Sequence, residues 1–135
     1  MTFPAGYQTD SGYDQAEDHI GPFYFKREGD AYEFAFLAGA QHCNANQIVH
    51  GGVLMTFADY GLCMVATDGY EAESCVTVSF NSEFVAAAEI GQIVTCQAEI
   101  MRKTRSMVFV RGKVCAQNEI VMGFSAVVKR LLPRD

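Results

Sequence analysis

Asp59 stands inside an otherwise apolar run, "VLMTFADYGLCMVA", that begins directly after His50-Gly51-Gly52. A carboxylate withdrawn from water without a partner is costly, so its presence there asks for a use. As a catalyst it would attack a carbonyl directly or take a proton from water. The glycine pair offers the complementary chemistry. The first N–H groups of a helix have no partner within it, the dipole there favours negative charge, and a residue without Cβ lets a ligand come close. Such a start binds an anion, or the oxyanion that forms when a carbonyl is attacked. Gly51 and Gly52 equally suit a tight turn and close helix–sheet packing, and the glycines alone leave both readings open.

Spacing narrows the choice. Gly52 and Asp59 are seven residues apart, about 10 Å along a helix axis. A reacting carbonyl must lie ~3 Å from both its oxyanion donors and its attacker. One helix cannot place both groups on one carbon, whereas two antiparallel copies can. If both act on one carbonyl, the simplest arrangement is a homodimer with two equivalent, shared sites.

The elements that must carry these groups are readable in outline. Residues 1–30 are polar and turn-rich, with a short helix predicted over Tyr13 to His19 and stopped by Gly21-Pro22. "AYEFAFLAG" (Ala31 to Gly39) alternates and reads as a strand. The run "VLMTFADYGLCMVATD" suits a helix of four turns, apolar on nearly every face and therefore expected to be buried on all sides. From Glu73 the texture turns to β: "ESCVTVSFNSEFV", "QIVTCQAEIM", "SMVFVRGKVCAQ" and "IVMGFSAVVKRLL" are rich in Val, Ile, Phe and Thr. "RKTR" and "AQNE" between them are short enough for hairpins. The expected order is strand, buried helix, then four antiparallel strands in a meander, an α+β layer architecture forming one domain over 1–135.

Composition bounds the function. Charged residues are 19% of the 135-residue chain and hydrophobic ones 50%; soluble domains average ~25% charged, so some apolar surface is expected in an oligomer interface. A net charge of −6 argues against nonspecific nucleic-acid binding. No apolar run reaches the ~20 residues of a membrane span, and "MTFPAGYQTD" has no basic or apolar leader region, which makes the cytoplasm the expected location. The five cysteines are odd in number and widely spaced, without CxxC or a His pair at ligand spacing. They read as buried small hydrophobes, with neither a disulfide framework nor a metal site.

"NANQIVHGGVLMTFAD", with Asn, then His-Gly-Gly six residues on and Asp nine residues after that His, resembles the hot-dog-fold acyl-CoA thioesterases, in particular the phenylacetate-pathway-like group. The pattern spans roughly Ala31 to Arg130, residues 1–30 being a variable segment. The resemblance implies a curved antiparallel sheet of five to six strands around one long helix, in a homodimer or homotetramer. It implies Asp59 as the catalytic carboxylate and Gly52, with Gly51, as the oxyanion donor. Asn44 falls where relatives place an amide that orients the thioester or water, Thr77 where they carry a hydroxyl near the attacking water, and His50 as a positioning residue. Relatives usually have glycine where this chain has Gln47, and Asn46 is an alternative amide.

An acyl-CoA substrate, which brings its own CoA and needs no further cofactor, implies a phosphate site. "RKTRS" supplies Arg102, Lys103, Arg105 and Ser106 in a predicted hairpin loop. An ordinary solvated turn is the competing reading, and Lys129-Arg130-Arg134 is a second basic cluster. Met55, Phe57, Met64, Phe80 and Phe84 are candidates for an acyl lining, with core packing as the stronger alternative. The reaction expected is hydrolysis of the thioester to acid and CoA. The alternatives are a hot-dog hydratase or dehydratase, for which His50 and Asp59 would have to form a dyad, and a non-catalytic acyl-CoA-binding protein.

Overall fold

The computed structural model describes residues 3–133. A short helix α1 (Gln15–Ile20) precedes strands β1 (Tyr24–Glu28) and β2 (Ala31–Leu37). The long helix α2 (Gly51–Thr67) follows, and then β3 (Ser74–Phe84), β4 (Ile93–Lys103), β5 (Met107–Ala116) and β6 (Glu119–Leu131). All six strands form one antiparallel sheet in the order β1-β2-β4-β5-β6-β3, and α2 lies on its inner face.

Several expectations need correction. β1 forms within the segment read as turn-rich. Its "YFKRE" carries three charges, which an edge strand with one open side tolerates. Lys26 sits opposite Glu33 of β2 and pairs with it at 3.3 Å. The four C-terminal strands are also not one meander. Only β4, β5 and β6 run as successive hairpins; β3 pairs with β6, and β4 pairs with β2. The segment "VAAAEIGQ" therefore carries the chain across from one side of the sheet to the other. The predicted N-terminal helix is shifted, starting at Gln15 with Asp14 accepting from the Glu17 N–H at 3.0 Å.

The core fills the space between α2 and the sheet. Phe34, Phe36, Phe57, Leu62 and Met122 are fully buried, with the Phe36 and Phe57 rings edge to face at 4.7 Å. At Gly61 a Cβ would come within 2.8 Å of the Phe34 ring, so glycine is what lets mid-helix sit down on β2 and β4. α2 is not buried on all sides, however. Gly52 and Met55 are exposed, Thr56 and Asp59 half-buried, and these four recur at the three- and four-residue spacing of one helix face.

The helix ends are held differently. At the C-terminus Asp68 takes a left-handed conformation (φ 50°), and the Gly69 N–H donates to the Met64 carbonyl at 3.0 Å. Lys103 Nζ donates to the Ala66 carbonyl at 3.1 Å and pairs with Glu73 at 3.0 Å. Arg130 grips the same buried Glu73 carboxylate through two N–H groups at 2.7 and 3.0 Å, which holds that carboxyl below its ordinary range.

Two predictions arise from strain and burial. Gln47 has φ of 63°, a conformation that L side chains pay to adopt. Gln47→Gly should raise stability by about 1 kcal/mol, read as a higher denaturation midpoint; a lower midpoint would contradict this. Glu17 on α1 has its carboxyl pushed up to about 7 by burial first, then by the charges of Asp14, Asp59 and Asp18. Folding thus favours its protonated form. Its stabilising contribution is full below the ordinary value of 4.5 and is lost as pH rises through about 7. Wild type should lose thermal stability relative to Glu17→Gln across that window, and parallel Tm–pH curves for the two proteins would refute it.

Candidate active site

Asp59 lies mid-helix on the open stripe of α2, and β3 supplies its neighbours. Thr77 Oγ1 donates to Asp59 Oδ1 at 2.5 Å. The β3–β6 register slips between Thr77 and Ser79, so Val78 is an extra residue in the strand. Such a bulge locally re-aims the side chains beside it. Cys63, one helical turn beyond Asp59, approaches Thr77 Oγ1 at 3.4 Å and Asp59 Oδ1 at 3.8 Å. Its thiol is pushed far up by a hydrogen bond with Cys75, by burial and by the Asp59 charge, so it stays a neutral thiol. The carboxylate is therefore fixed by one short hydrogen bond and keeps its other oxygen, Oδ2, without a protein partner among the described residues.

The helix start has the expected form. His50 is its N-cap but supplies no side-chain cap. The first backbone bonds into the helix come from Val53 and Leu54, so the Gly51 and Gly52 N–H groups have no partner among the described residues. At Gly51 a Cβ would meet the Phe84 ring at 3.1 Å, a tight contact that glycine relieves. At Gly52 a Cβ would meet nothing within 4 Å. Nothing in one protomer requires glycine at 52, and the residue lies on the same open stripe of the helix as Asp59.

The other candidates separate. Asn44 folds its own loop: its Oδ1 accepts from the Asn46 and Ile48 N–H groups at 2.9 and 3.3 Å, leaving its amide NH2 free. The alternative amide, Asn46, is exposed in that loop, and Gln47 occupies the left-handed position that glycine would fill without strain. His50 is exposed and makes no hydrogen bond to another described side chain. His42, by contrast, is buried with both ring nitrogens engaged, Nδ1 accepting from the Gly39 N–H and Nε2 facing the Ile20 carbonyl. No described histidine hydrogen-bonds Asp59.

The basic cluster also divides. Arg102 and Lys103 end β4, and only Thr104 to Ser106 form the turn. Lys103 is committed to Glu73 and the helix end, and Arg130 is committed to the same carboxylate. Arg102 and Arg105 are exposed without an acidic partner among the described residues, and Ser106 lies beside them. The strand register puts Arg102 and Lys129 on the outward face with Phe109 and Val127, a partnership across three strands that linear spacing hides. Arg134 lies outside the described residues.

Of the acyl-lining candidates, Phe57 and Met64 are core, Phe80 stacks on Phe124 at 5.8 Å, and Met55 and Phe84 flank the open helix start. A cavity of 740 Å3 lies elsewhere, where β2 and β4 part company beyond Phe34 and Cys96, and its lining includes none of Asp59, Gly51 and Gly52. Its wall mixes Lys26, Arg111 and Lys113 with Glu28, Glu33 and Glu99. No helix of the described residues is long and apolar enough to cross a membrane.

Comparison with known proteins gives the family and the fold. The family model described as the thioesterase superfamily matches residues 46–122, a span holding Gly51, Gly52, Asp59 and Thr77. The chain is 26% identical over 129 residues to a Pseudomonas aeruginosa protein named "Putative esterase PA0474", covering 94% of this chain and 96% of that one. It is similar in fold to the Bacillus halodurans protein BH2602 solved with CoA, with a TM-score of 0.80 and 22% identity, over 91% of this chain and 83% of that one. The Escherichia coli PaaI protein from the phenylacetic acid degradation operon gives a TM-score of 0.79 at 16% identity, covering 88% of this chain and 86% of that one. With its six-stranded antiparallel sheet around one long helix, and with that match running through the helix and its flanking strands, the chain belongs to the thioesterase superfamily: a hot-dog-fold thioester hydrolase.

Proposed function

We propose that the protein hydrolyses an acyl-CoA thioester to the free acid and CoA, in sites that two copies of the chain build together. The observation that carries this reading is the open stripe of α2, which holds an oriented carboxylate and, about 10 Å away, a helix start whose first amides have no partner among the described residues. Beside that stripe runs β3, an edge strand whose unpaired backbone is flanked by exposed Val76, Val78, Phe84 and Val85. An open strand edge with apolar side chains and a helix stripe on the same side make a self-complementary surface for a two-fold partner. Antiparallel packing of two such stripes would bring Gly52 of one protomer toward Asp59 of the other.

In that site Thr77 donates to one oxygen of Asp59, which leaves the second oxygen to act. Asp59 takes a proton from water as the water oxygen adds to the thioester carbonyl, or it adds itself and the resulting anhydride is hydrolysed. The Gly52 N–H, with Gly51, receives the oxyanion. Collapse breaks the C–S bond, and the CoA leaves as a thiolate, which needs no strong general acid. Arg102 and Arg105, joined by Lys129, are the cations left free to receive the CoA phosphates, since Lys103 and Arg130 already serve Glu73. That a similar fold has been solved with CoA supports the ligand class.

Release of CoA thiol from phenylacetyl-, hexanoyl- and palmitoyl-CoA tests the reading. Asp59→Asn and Asp59→Ala should each lower kcat by about a hundredfold or more; turnover undiminished in both would sink it. Thr77→Val should lower kcat by about ten- to a hundredfold, the worth of a hydrogen bond to a charged group, with KM little changed. Thr77→Ser should restore most of that loss. A Thr77→Val protein as active as wild type, or a Thr77→Ser protein as impaired as Thr77→Val, would remove Thr77 from the mechanism.

A further inference from the structure

Cys63 sits one helical turn beyond Asp59 on α2 and is 7% exposed. A cysteine so buried ordinarily packs as a small hydrophobe. The surroundings of its sulfur are polar, however. Thr77 Oγ1 lies at 3.4 Å and Asp59 Oδ1 at 3.8 Å, and the Cys75 thiol is also hydrogen-bonded to it. Thioester hydrolysis as proposed uses Thr77 and Asp59 and leaves this thiol without a task.

The count of protons decides what the thiol does. A carboxylate oxygen only accepts, and a threonine hydroxyl has one proton to give. At 2.5 Å the contact between Thr77 and Asp59 has the length of an O–H···O⁻ bond, so Thr77 spends its proton there. The Thr77 oxygen is then an acceptor only, and the 3.4 Å contact makes Cys63 its donor. Cys75 bonds to Cys63 at the same time by donating to the sulfur lone pairs. Cys63 stays a neutral thiol, so the donor is not lost to ionisation. The three side chains form a directed chain, S–H to O–H to carboxylate, in which each bond polarises the next.

We propose that Cys63 is a positioning residue for thioester hydrolysis: its S–H holds the Thr77 hydroxyl in the orientation that donates to Asp59 Oδ1, so that Oδ2 is the oxygen presented to water or thioester. The inference rests on hydrolysis at Asp59 and deepens that reading. Cys63 acts through Thr77 and takes no part in bond making. Without the thiol, the Thr77 oxygen loses its donor, and the hydroxyl is free to turn about its C–O bond away from the carboxylate. A thiol is a weaker donor than a hydroxyl, so the contribution of Cys63 is smaller than that of Thr77.

The test is steady-state CoA release by wild type, Cys63→Ala, Cys63→Ser, Thr77→Val, the Cys63→Ala/Thr77→Val double variant and Asp59→Asn. Cys63→Ala should lower kcat about three- to tenfold with KM little changed, the worth of one neutral hydrogen bond. Cys63→Ser keeps a donor and should recover most of that loss. In the Thr77→Val background Cys63→Ala should cost less than about twofold, since the group through which Cys63 acts is already gone. A packing or helix effect would instead multiply the Thr77→Val loss by the same factor as in wild type. Undiminished kcat in Cys63→Ala, a Cys63→Ser protein no better than Cys63→Ala, or the same fold loss in both backgrounds would overturn the proposal. Asp59→Asn separates it from the reading it rests on. If Asp59→Asn is inactive while Cys63→Ala is unimpaired, the role of Cys63 fails alone. If Asp59→Asn is as active as wild type, hydrolysis at Asp59 fails and the role of Cys63 falls with it.

Discussion

Seven residues of α-helix separate the Gly52 N–H from the Asp59 carboxylate, and an α-helix is too stiff to shorten that distance. Much of the molecule is arranged around this constraint. The two groups lie on one stripe of α2 that the protomer leaves uncovered, while the rest of the helix is packed against the sheet and α1. The sheet ends beside the stripe in an edge strand, β3, paired on one side only, and does not close over it. A fold that buried α2 completely would be a better core and a worse site.

Positioning of the carboxylate then falls to β3. Its slipped register next to Thr77 and the short Thr77–Asp59 hydrogen bond tie strand to helix at the point where chemistry is proposed. Further along, the Glu73 carboxylate binds the end of β4 and the end of β6 through Lys103 and Arg130, and Lys103 also caps the last turn of α2. Breaking one partner of such a buried knot leaves the others uncompensated, so it fixes the far end of the helix relative to three strands. At the near end Gly51 lets the Phe84 ring lie against the helix start. The stripe is thus held at both ends and oriented in the middle.

The candidate site draws notice in the sequence because its central residue breaks a local rule. An Asp among apolar helix residues violates what packing alone would choose, and its seven-residue distance from the second glycine of the helix start carries the distance argument. What stayed hidden is set by contacts between distant segments. β1 has a charged sequence because it is an edge strand, and periodicity cannot distinguish that from a loop. The pairing of β3 with β6 depends on how the sheet wraps α2, not on the length of the intervening turn. Lys103 looked free in a basic turn, yet Glu73, thirty residues earlier in the chain, claims it. Glu17 lay in a stretch read as polar surface, and only the docking of α1 on α2 shows it half-buried near Asp59. The strained Gln47 is the converse: the sequence departs from glycine where the backbone still takes glycine's conformation.

Sharing of the site between chains is the claim on which the rest turns, and a purified heterodimer measures it. One chain would carry Asp59→Asn and the other Gly52→Pro, which removes the N–H at a position in the first helical turn where proline is tolerated. Each homodimer should be nearly inactive. If each site takes Gly52 from one chain and Asp59 from the other, the heterodimer regains one intact site and about half of wild-type CoA release. A heterodimer as inactive as its parents would mean that both groups act within one chain, and a parent homodimer with full activity would mean that its altered residue does not act.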